Sequence, residues 1–205
     1  MDTVLFFTLC GYLSGSILFA QVAAKLMNKG EMLQKSRDQN PGTANAFQYG
    51  GFWCGLITLC GDLLKGFLPV YLFSQYGGGL TAFPLAAALV IAAPVIGHGF
   101  PLFFQFKGGK GIAVTFGSLM GLYPAWGPVI LFAALFLFFS LVLRVTPHFY
   151  RTIITYLSAL VCLFWQQADM GVVLGFLLIT MTVCLRMHMS KEERVEMKVR
   201  LLWMH

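Results

Sequence analysis

Residues 112–143 read IAVTFGSLMGLYPAWGPVILFAALFLFFSLVL, 32 positions without one charged side chain. As a single helix they would run about 48 Å at 1.5 Å per residue, well past a hydrocarbon core of about 30 Å. Tyr123-Pro124-Ala125-Trp126-Gly127-Pro128 sits in the middle. It combines turn residues with aromatic side chains of the kind that settle at a bilayer interface. The stretch is therefore expected to cross the membrane twice, the first crossing being short.

The same reading extends outward. Residues 152–188 are also too long for one crossing and divide at Trp165-Gln166-Gln167-Ala168-Asp169. Single spans are expected from about Thr3 to Met27, Phe47 to Phe73 and Ala82 to Phe104, the last preceded by a neutral turn at residues 74–79. The expected fold is an all-α integral membrane protein of seven transmembrane helices. It is read as one polytopic domain over residues 1–205, with residues 189–205 forming a cytoplasmic amphipathic tail on the membrane surface.

Composition agrees with that class. Hydrophobic residues make up 58% of the chain and charged residues 11%, and mean hydropathy is +0.77. A soluble domain carries about a quarter charged residues, so lipid is the solvent for most of this chain. Met1-Asp2-Thr3 has no basic leader, and the apolar run after it is read as a retained first span. The five cysteines lie in or beside apolar stretches without metal-ligand spacing, which makes them small apolar side chains.

Charge orients the spans. With seven crossings, segments 25–46, 105–111, 144–151 and 186–205 share one side and hold 13 of the 14 Lys and Arg residues. The remaining one is Lys65, inside the second span. The opposite side carries only Asp2 and Asp169. The positive-inside rule then puts the N-terminus outside and the C-terminus in the cytoplasm. The net charge of +6 thus reads as cytoplasmic loops facing anionic lipid or phosphate, with no nucleic acid partner.

Three of those segments hold more polar groups than a connector needs. Lys107-Gly108-Gly109-Lys110-Gly111 falls where a helix begins at Ile112. Glycines let backbone N–H groups converge, a helix start adds partial positive charge, and two lysines complete a phosphate-sized anion site; a membrane-surface turn would have the same residues. In residues 35–51, Asn40-Pro41-Gly42 marks a turn, and Asn45 is placed to cap or begin the second span. Asp62 and Lys65 stand three apart on one helical face near mid-membrane, as a structural ion pair or part of a site. His98 and His188, each near the end of a span, are candidates for a general base or a phosphate donor.

In order and spacing these features resemble the bacterial acyl-phosphate:glycerol-3-phosphate acyltransferases, small seven-span enzymes of phospholipid synthesis. The resemblance runs from about residue 10 to 125. It rests on Gly15-Ser16-Ile17, Ala24-Lys25-Leu26, the run NPGTAN at 40–45, the run GDLLKG at 61–66, Gly97-His98-Gly99-Phe100-Pro101, and Phe106 to Gly111. It implies transfer of a fatty acyl group from acyl phosphate to glycerol 3-phosphate, giving lysophosphatidic acid without metal, cofactor or acyl-CoA. It implies a multi-pass protein of the bacterial cell membrane, in contact with membrane lipids, with its site facing the cytoplasm. The catalytic candidates are then Asp38, His188 and His98. Asn40, Gly42, Asn45, Gln48, Lys65, Lys107, Gly108, Gly109, Lys110, Gly111, Thr146 and Lys191 are expected to bind substrate or phosphate.

The chain departs from the family pattern in three places. Asp38 replaces a serine, Gln48 an arginine and Lys191 an asparagine, with Ser36 and Thr43 as substitute hydroxyls near Asp38, while Thr146 stands where the family has a serine hydroxyl in the loop after the fifth span. The first two changes each make the site one unit more negative; Lys191 returns one positive charge and is a candidate partner for Asp38. Asp38 could act as a base toward an alcohol if burial raised its pKa. Three readings follow: an acyltransferase for glycerol 3-phosphate or a less anionic relative, a homologue that binds lipid or phosphate without catalysis, and a small transporter of a phosphorylated metabolite. The third would show inverted repeats, and no clear internal repeat is present.

Overall fold

The computed structural model describes residues 2–36, 38–77, 83–192 and 194–202. The first apolar stretch forms two helices, α1 (Asp2–Gly15) and α2 (Phe19–Leu26), bent by 43° at the break between them. At that break the Ser16 hydroxyl donates to the Tyr12 carbonyl (2.9 Å) and accepts from the Leu102 N–H (3.2 Å). Short helices α3 (Met32–Lys35) and α4 (Thr43–Gly50) precede α5 (Phe52–Tyr76). The second long helix was expected to begin at Phe47. Gly51, at a positive φ of 88°, instead separates α4 from α5, so Asn45 and Phe47 belong to a separate two-turn helix.

α6 (Pro84–Gly99) opens on proline, whose fixed φ suits a first helical position. The expected start at Ala82, the turn glycines Gly78 and Gly79, and the tail residues Glu193 and Trp203–His205 lie outside the described residues. After a short 3-10 turn (Leu102–Phe104) come α7 (Ile112–Met120) and α8 (Gly127–Leu137), which continues as a π-helical turn through Val142. The 112–143 stretch thus breaks where its prolines and aromatics predict. The other long stretch divides into α9 (His148–Trp165) and α10 (Met170–Met189), and the Asp169 carboxylate caps α10 by accepting from the Gly171 N–H at 2.8 Å. The all-α expectation needs one amendment. Strand β1 (Leu143–Thr146) pairs antiparallel with β2 (Lys198–Leu201), so part of the tail is a β-ribbon.

Among the described residues, three stretches are long and apolar enough to cross a bilayer: Phe52–Tyr76, Pro84–Phe104 and Met170–Met189. The bent α1–α2 pair is apolar enough to make a fourth when its two helices are counted as one span. On α5 the alternation of faces is plain. Thr58, Gly61, Asp62, Lys65, Gly66, Pro69 and Val70 are buried, whereas Ile57, Leu64, Leu68 and Leu72 are exposed. Exposed leucines opposite a buried polar face are the pattern of a helix in lipid.

Lipid tails are as apolar as leucine, so close packing and hydrogen bonds hold such helices together. α6 occupies the centre and meets α1 and α10 most extensively. A Cβ at Gly97 would lie 2.1 Å from the Tyr12 carbonyl oxygen, and one at Gly15 would lie 2.2 Å from that of Pro94. α5 and α7 approach as closely through Gly66 and Gly117. Beyond them Phe132, Tyr156 and Phe176 form an aromatic cluster with centroids 4.8–5.7 Å apart, and the Tyr156 hydroxyl donates to Thr115 Oγ1 at 2.8 Å.

Candidate active site

Three segments far apart in sequence meet beside a cavity of about 1130 Å³. Lys110 Nζ lies 2.8 Å from Asp38 Oδ2 and 2.8 Å from Glu192 Oε2, joining the loop before α4, the loop before α7 and the tail after α10. Lys191 Nζ donates to Gln39 Oε1 at 3.4 Å. The fourth basic segment arrives through Pro147 and His148 on the cavity wall and through the β1–β2 pairing. Its wall carries polar side chains from the loops and α4, with Asn40, Thr43, Asn45, Gln48 and Lys110, and apolar ones from the longer helices, with Leu59, Leu63, Phe116, Met120 and Phe136.

The polar part of the wall is built from two turns. Asp38 accepts from Asn45 Nδ2 (2.7 Å) and from the Asn40 N–H (3.3 Å), while Asn45 Nδ2 also reaches the Asn40 carbonyl at 2.9 Å. Burial raises the Asp38 pKa, but Lys110, Asn45 and the Asn40 N–H together outweigh it and hold the carboxyl below its ordinary value. The condition for Asp38 to act as a base was a raised pKa; the shift runs the other way, and both its oxygens are engaged. Its geometry fits a residue that positions Lys110 and Asn45.

In the KGGKG loop the three glycines have different reasons. A Cβ at Gly108 would stand 1.9 Å from the His98 carbonyl oxygen, and one at Gly109 would stand 2.2 Å from His98 Nε2. Gly111 has a positive φ of 84° and begins α7, whose first residues Ile112 and Ala113 line the cavity. The first N–H groups of a helix have no intrahelical acceptor, so α7 presents donors beside Lys110. The loop is pinned from behind: the Gly109 N–H donates to the His98 carbonyl (3.0 Å), and the Arg186 guanidinium donates to the Gly108 carbonyl.

Beneath the loop lies a second cluster. Lys65 Nζ is 2.7 Å from Asp62 Oδ1, 2.8 Å from His98 Nδ1 and 2.6 Å from the Ile17 carbonyl oxygen. An ammonium can only donate, so Lys65 is held inside the protein by one ion pair and two hydrogen bonds. His98 Nδ1 then accepts, and the neutral ring carries its proton on Nε2. Asp62 and His98 reach the cavity wall, and Thr43 Oγ1 donates to Asp62 Oδ2 at 3.4 Å.

Of the residues named from sequence, Asp38, Asn40, Gly42, Asn45, Gln48, His98, Lys110, Gly111 and Lys191 line the cavity. Gly108 and Gly109 support it from the loop. Four lie elsewhere. Lys65 is buried behind the wall, and Lys107 is exposed outside it. Thr146 is exposed in β1 and donates to the Lys198 carbonyl at 3.3 Å. His188 is exposed past the cavity, its carbonyl taken by Arg194. Lys191 bonds Gln39, and Lys110 takes the place beside Asp38 that was expected for it.

Sequence reasoning missed His148 and Glu192. Burial first, then the charges of Lys110 and Arg151, lower the His148 pKa to about 4. Its Nδ1 lies 2.9 Å from an Arg151 guanidinium nitrogen, which can only donate. The signal for both residues was their place in the two basic segments, 144–151 and 186–205.

The site thus combines a lysine between two carboxylates, the start of a helix and an apolar wall within a helical bundle of membrane type. The family model described as Glycerol-3-phosphate acyltransferase matches residues 5–196, and the chain belongs to that family. A glycerol-3-phosphate acyltransferase of Janthinobacterium sp. (strain Marseille) is 41% identical over 122 residues, covering 60% of each chain. One from Pasteurella multocida (strain Pm70) is 40% identical over 123 residues, covering 60% of this chain and 58% of the relative. The chain thus spans about 60% of the length of the curated relatives it matches. The fold is similar to the crystal structure of PlsY, an integral membrane glycerol 3-phosphate acyltransferase, in its glycerol 3-phosphate form (TM-score 0.76, 28% identity, 91% of this chain and 88% of that one). Its lysophosphatidic acid form gives a TM-score of 0.71 at 27% identity, covering 89% and 87%.

Proposed function

We propose that this chain transfers a fatty acyl group from acyl phosphate to glycerol 3-phosphate at the membrane, making lysophosphatidic acid. The observation that carries this reading is one cavity lined both by Lys110 with the start of α7 and by Leu59, Leu63, Phe116, Met120 and Phe136. An acyl phosphate combines the same two characters. The acceptor hydroxyl oxygen attacks the acyl carbonyl carbon, the bond from that carbon to phosphate oxygen breaks, and the electron pair leaves with phosphate. The hydroxyl proton ends on the released hydrogen phosphate, so atoms and charge balance without an outside reagent. Acyl phosphate is already activated, so positioning and charge neutralisation supply most of the acceleration. Lys110 and the α7 N–H groups hold phosphate oxygens, His98 donates from Nε2, and Asn40, Asn45 and Gln48 orient the acceptor. The bound forms of PlsY support the acceptor and the product.

The same reading takes α1–α2, α5, α6, α7, α8, α9 and α10 as seven crossings of the bacterial cell membrane, with the N-terminus outside and the site facing the cytoplasm. Supporting it, the four segments that hold 13 of 14 basic residues gather at one end of the bundle. α7, at nine residues, is too short to span alone, which protein-buried helices tolerate. Cysteine introduced at Gln39 should be labelled only after permeabilisation, and cysteine at Gln167 in intact cells; the reverse pattern overturns the orientation.

A second reading has one specific observation in its favour. Two carboxylates already occupy Lys110, which disfavours a doubly charged acceptor beside them. Purified protein offered radiolabelled acyl phosphate with either glycerol 3-phosphate or glycerol decides between the two. Lysophosphatidic acid as the main product supports the first reading. Acylglycerol as the main product supports the second, and no acyl transfer to either overturns both.

A further inference from the structure

The β1–β2 ribbon stands apart from the acyl-transfer chemistry. Its register sets Leu143 opposite Leu201, Arg144 opposite Arg200, Val145 opposite Val199 and Thr146 opposite Lys198. Side chains alternate along a strand, so Arg144, Arg200, Lys198 and Thr146 share one face and the four apolar residues share the other. Directly opposed residues have Cβ atoms about 4.5–5.5 Å apart, and like charges at that spacing weaken the pairing. Arg144, Arg200 and Lys198 are all exposed, and among the described residues none of them forms an ion pair. The ribbon therefore presents a concentrated positive face that nothing in the described chain neutralises.

The surroundings say what does. β1 follows without a break from the apolar helix Gly127–Val142, so the ribbon starts where an apolar stretch ends. On the apolar face Val145 is buried against the protein, while Val199 and Leu201 are about half exposed. Leu141, Val142 and Leu202 extend that exposed apolar edge. A basic face beside an apolar edge matches the boundary between lipid headgroups and acyl chains. It does not match a polyanion in water, which would leave the apolar edge uncovered.

We propose that the β1–β2 ribbon docks anionic phospholipid headgroups, with one lipid phosphate bridging Arg144 and Arg200, Lys198 beside it, and the Leu201–Leu202 edge resting among the acyl chains. Arginine suits the bridging role because its planar donors meet phosphate oxygens in pairs. The ribbon links the loop before α9 to the tail that carries Lys191 and Glu192, so a bound lipid also anchors the third wall of the cavity. The proposal holds whether the acceptor is glycerol 3-phosphate or glycerol.

The test uses the full chain, purified in neutral detergent and titrated with phosphatidylglycerol or phosphatidylcholine, with retained lipids counted by native mass spectrometry. The double variant Arg144→Gln, Arg200→Gln should lose about tenfold in phosphatidylglycerol retention, as expected for two charge-assisted contacts, with phosphatidylcholine unchanged. Lys25→Gln with Lys29→Gln removes the same charge elsewhere and should change retention less than about twofold. Without lipid, the ribbon variant should melt at the wild-type temperature or above it, since a repulsion has been removed. Wild-type retention in the ribbon variant, equal loss in the Lys25/Lys29 control, or a fall in lipid-free melting temperature overturns the proposal. So does displacement of the lipid by millimolar inorganic phosphate, which would mark a free-anion site. If the wild type proves dimeric and the ribbon variant monomeric with lipid retention intact, the face belongs to a second copy of the chain, which also overturns it.

Discussion

Two lysines in this protein each sit between acidic and polar groups, and they do opposite things. Lys65 lies within one helix turn of Asp62, buried to 4% exposure, paired with Asp62 and hydrogen-bonded to His98 and the Ile17 carbonyl. Lys110 draws its carboxylates from positions 38 and 192, on the wall of a large cavity. The first arrangement is closed: Lys65 is buried among its partners, and removing a member leaves a charge in a dry place. The second is open, because Lys110 lines a cavity; under the proposed function an incoming phosphate would take over from a carboxylate there. The difference between a structural cation and a binding cation lies here in burial and in access, and both lysines are equally basic by type.

The largest expected effect breaks the closed cluster. Lys65→Met leaves Asp62 without its countercharge in the bundle and should cost about 3–5 kcal/mol of stability. Thermal unfolding in detergent measures this. Adding Asp62→Leu should recover much of the loss, because a buried pair replaced by apolar groups is often neutral. If Lys65→Met melts like wild type while losing activity, Lys65 is a binding residue after all and the contrast fails.

The next effect belongs to the loop that both clusters touch. A Cβ at Gly109 would press on His98 Nε2 at 2.2 Å, whereas one at Gly127 meets nothing within 4 Å. Gly109→Ala should displace the KGGKG loop and lower kcat/KM by about 10- to 100-fold, the scale of a small misplacement of a catalytic group. Gly127→Ala should leave it unchanged within about twofold, since nothing has to move. A Gly109→Ala enzyme with normal kcat/KM would show that the loop tolerates movement away from His98.

Lys110→Ala should act on binding more than on folding. Loss of one charge-assisted contact costs about 1.5–3 kcal/mol, read as a rise in KM for the phosphorylated substrate. The same variant changes the pH response. In the wild type, the lowered Asp38 pKa means its carboxylate steadies the fold above the ordinary value near 4, and that contribution drains away only as pH falls through the depressed value. Without Lys110 the Asp38 pKa should move up, because burial is then opposed only by Asn45 and the Asn40 N–H. Melting temperature followed from pH 6 to pH 3 should therefore depend less steeply on pH in Lys110→Ala. An unchanged pH profile would mean that Lys110 does not hold Asp38.

The same contrast explains what could be read from sequence. Asp62 and Lys65 are three apart on one helix, and a helix fixes that neighbourhood locally. The breaks at residues 123–128 and 165–169 were legible because proline and interfacial residues act within a few positions. The four basic segments could be grouped by parity alone, and their residues do meet. The pairing of Lys110 with Asp38 and Glu192 was not legible, since it depends on how three loops fold over one another. His188 was favoured because it ends a helix, yet α10 carries it past the cavity, while the unremarked His148 is turned inward. The separate α4 helix was hidden in an apolar run whose only mark was the Gly50-Gly51 pair. The ribbon escaped notice because each strand is four residues long and its partner lies more than fifty positions away.

The smallest expected effect is also the one that asks whether the Lys110 arrangement is open. Asp38 does three things, since it meets Lys110, Asn45 and the Asn40 N–H, whereas the Glu192 carboxylate, among the described residues, pairs with Lys110 alone. If substrate phosphate competes with Glu192 for Lys110, then Glu192→Gln removes a competitor and should lower KM for glycerol 3-phosphate or acyl phosphate. The pair is largely shielded from solvent, at 10% and 14% side-chain exposure, but Asp38 still holds Lys110, so the gain should be modest, about 1 kcal/mol or less, which is at most about fivefold. Asp38→Asn removes the same charge but also disturbs the turn at residues 38–45, so it should lower melting temperature where Glu192→Gln does not. Steady-state kinetics with both variants separate the two carboxylates. A higher KM in Glu192→Gln, at unchanged melting temperature, would mean that Glu192 aims Lys110 at the substrate. In that case the Lys110 cluster is a fixed assembly like the one around Lys65, and the distinction between the two lysines rests on access alone.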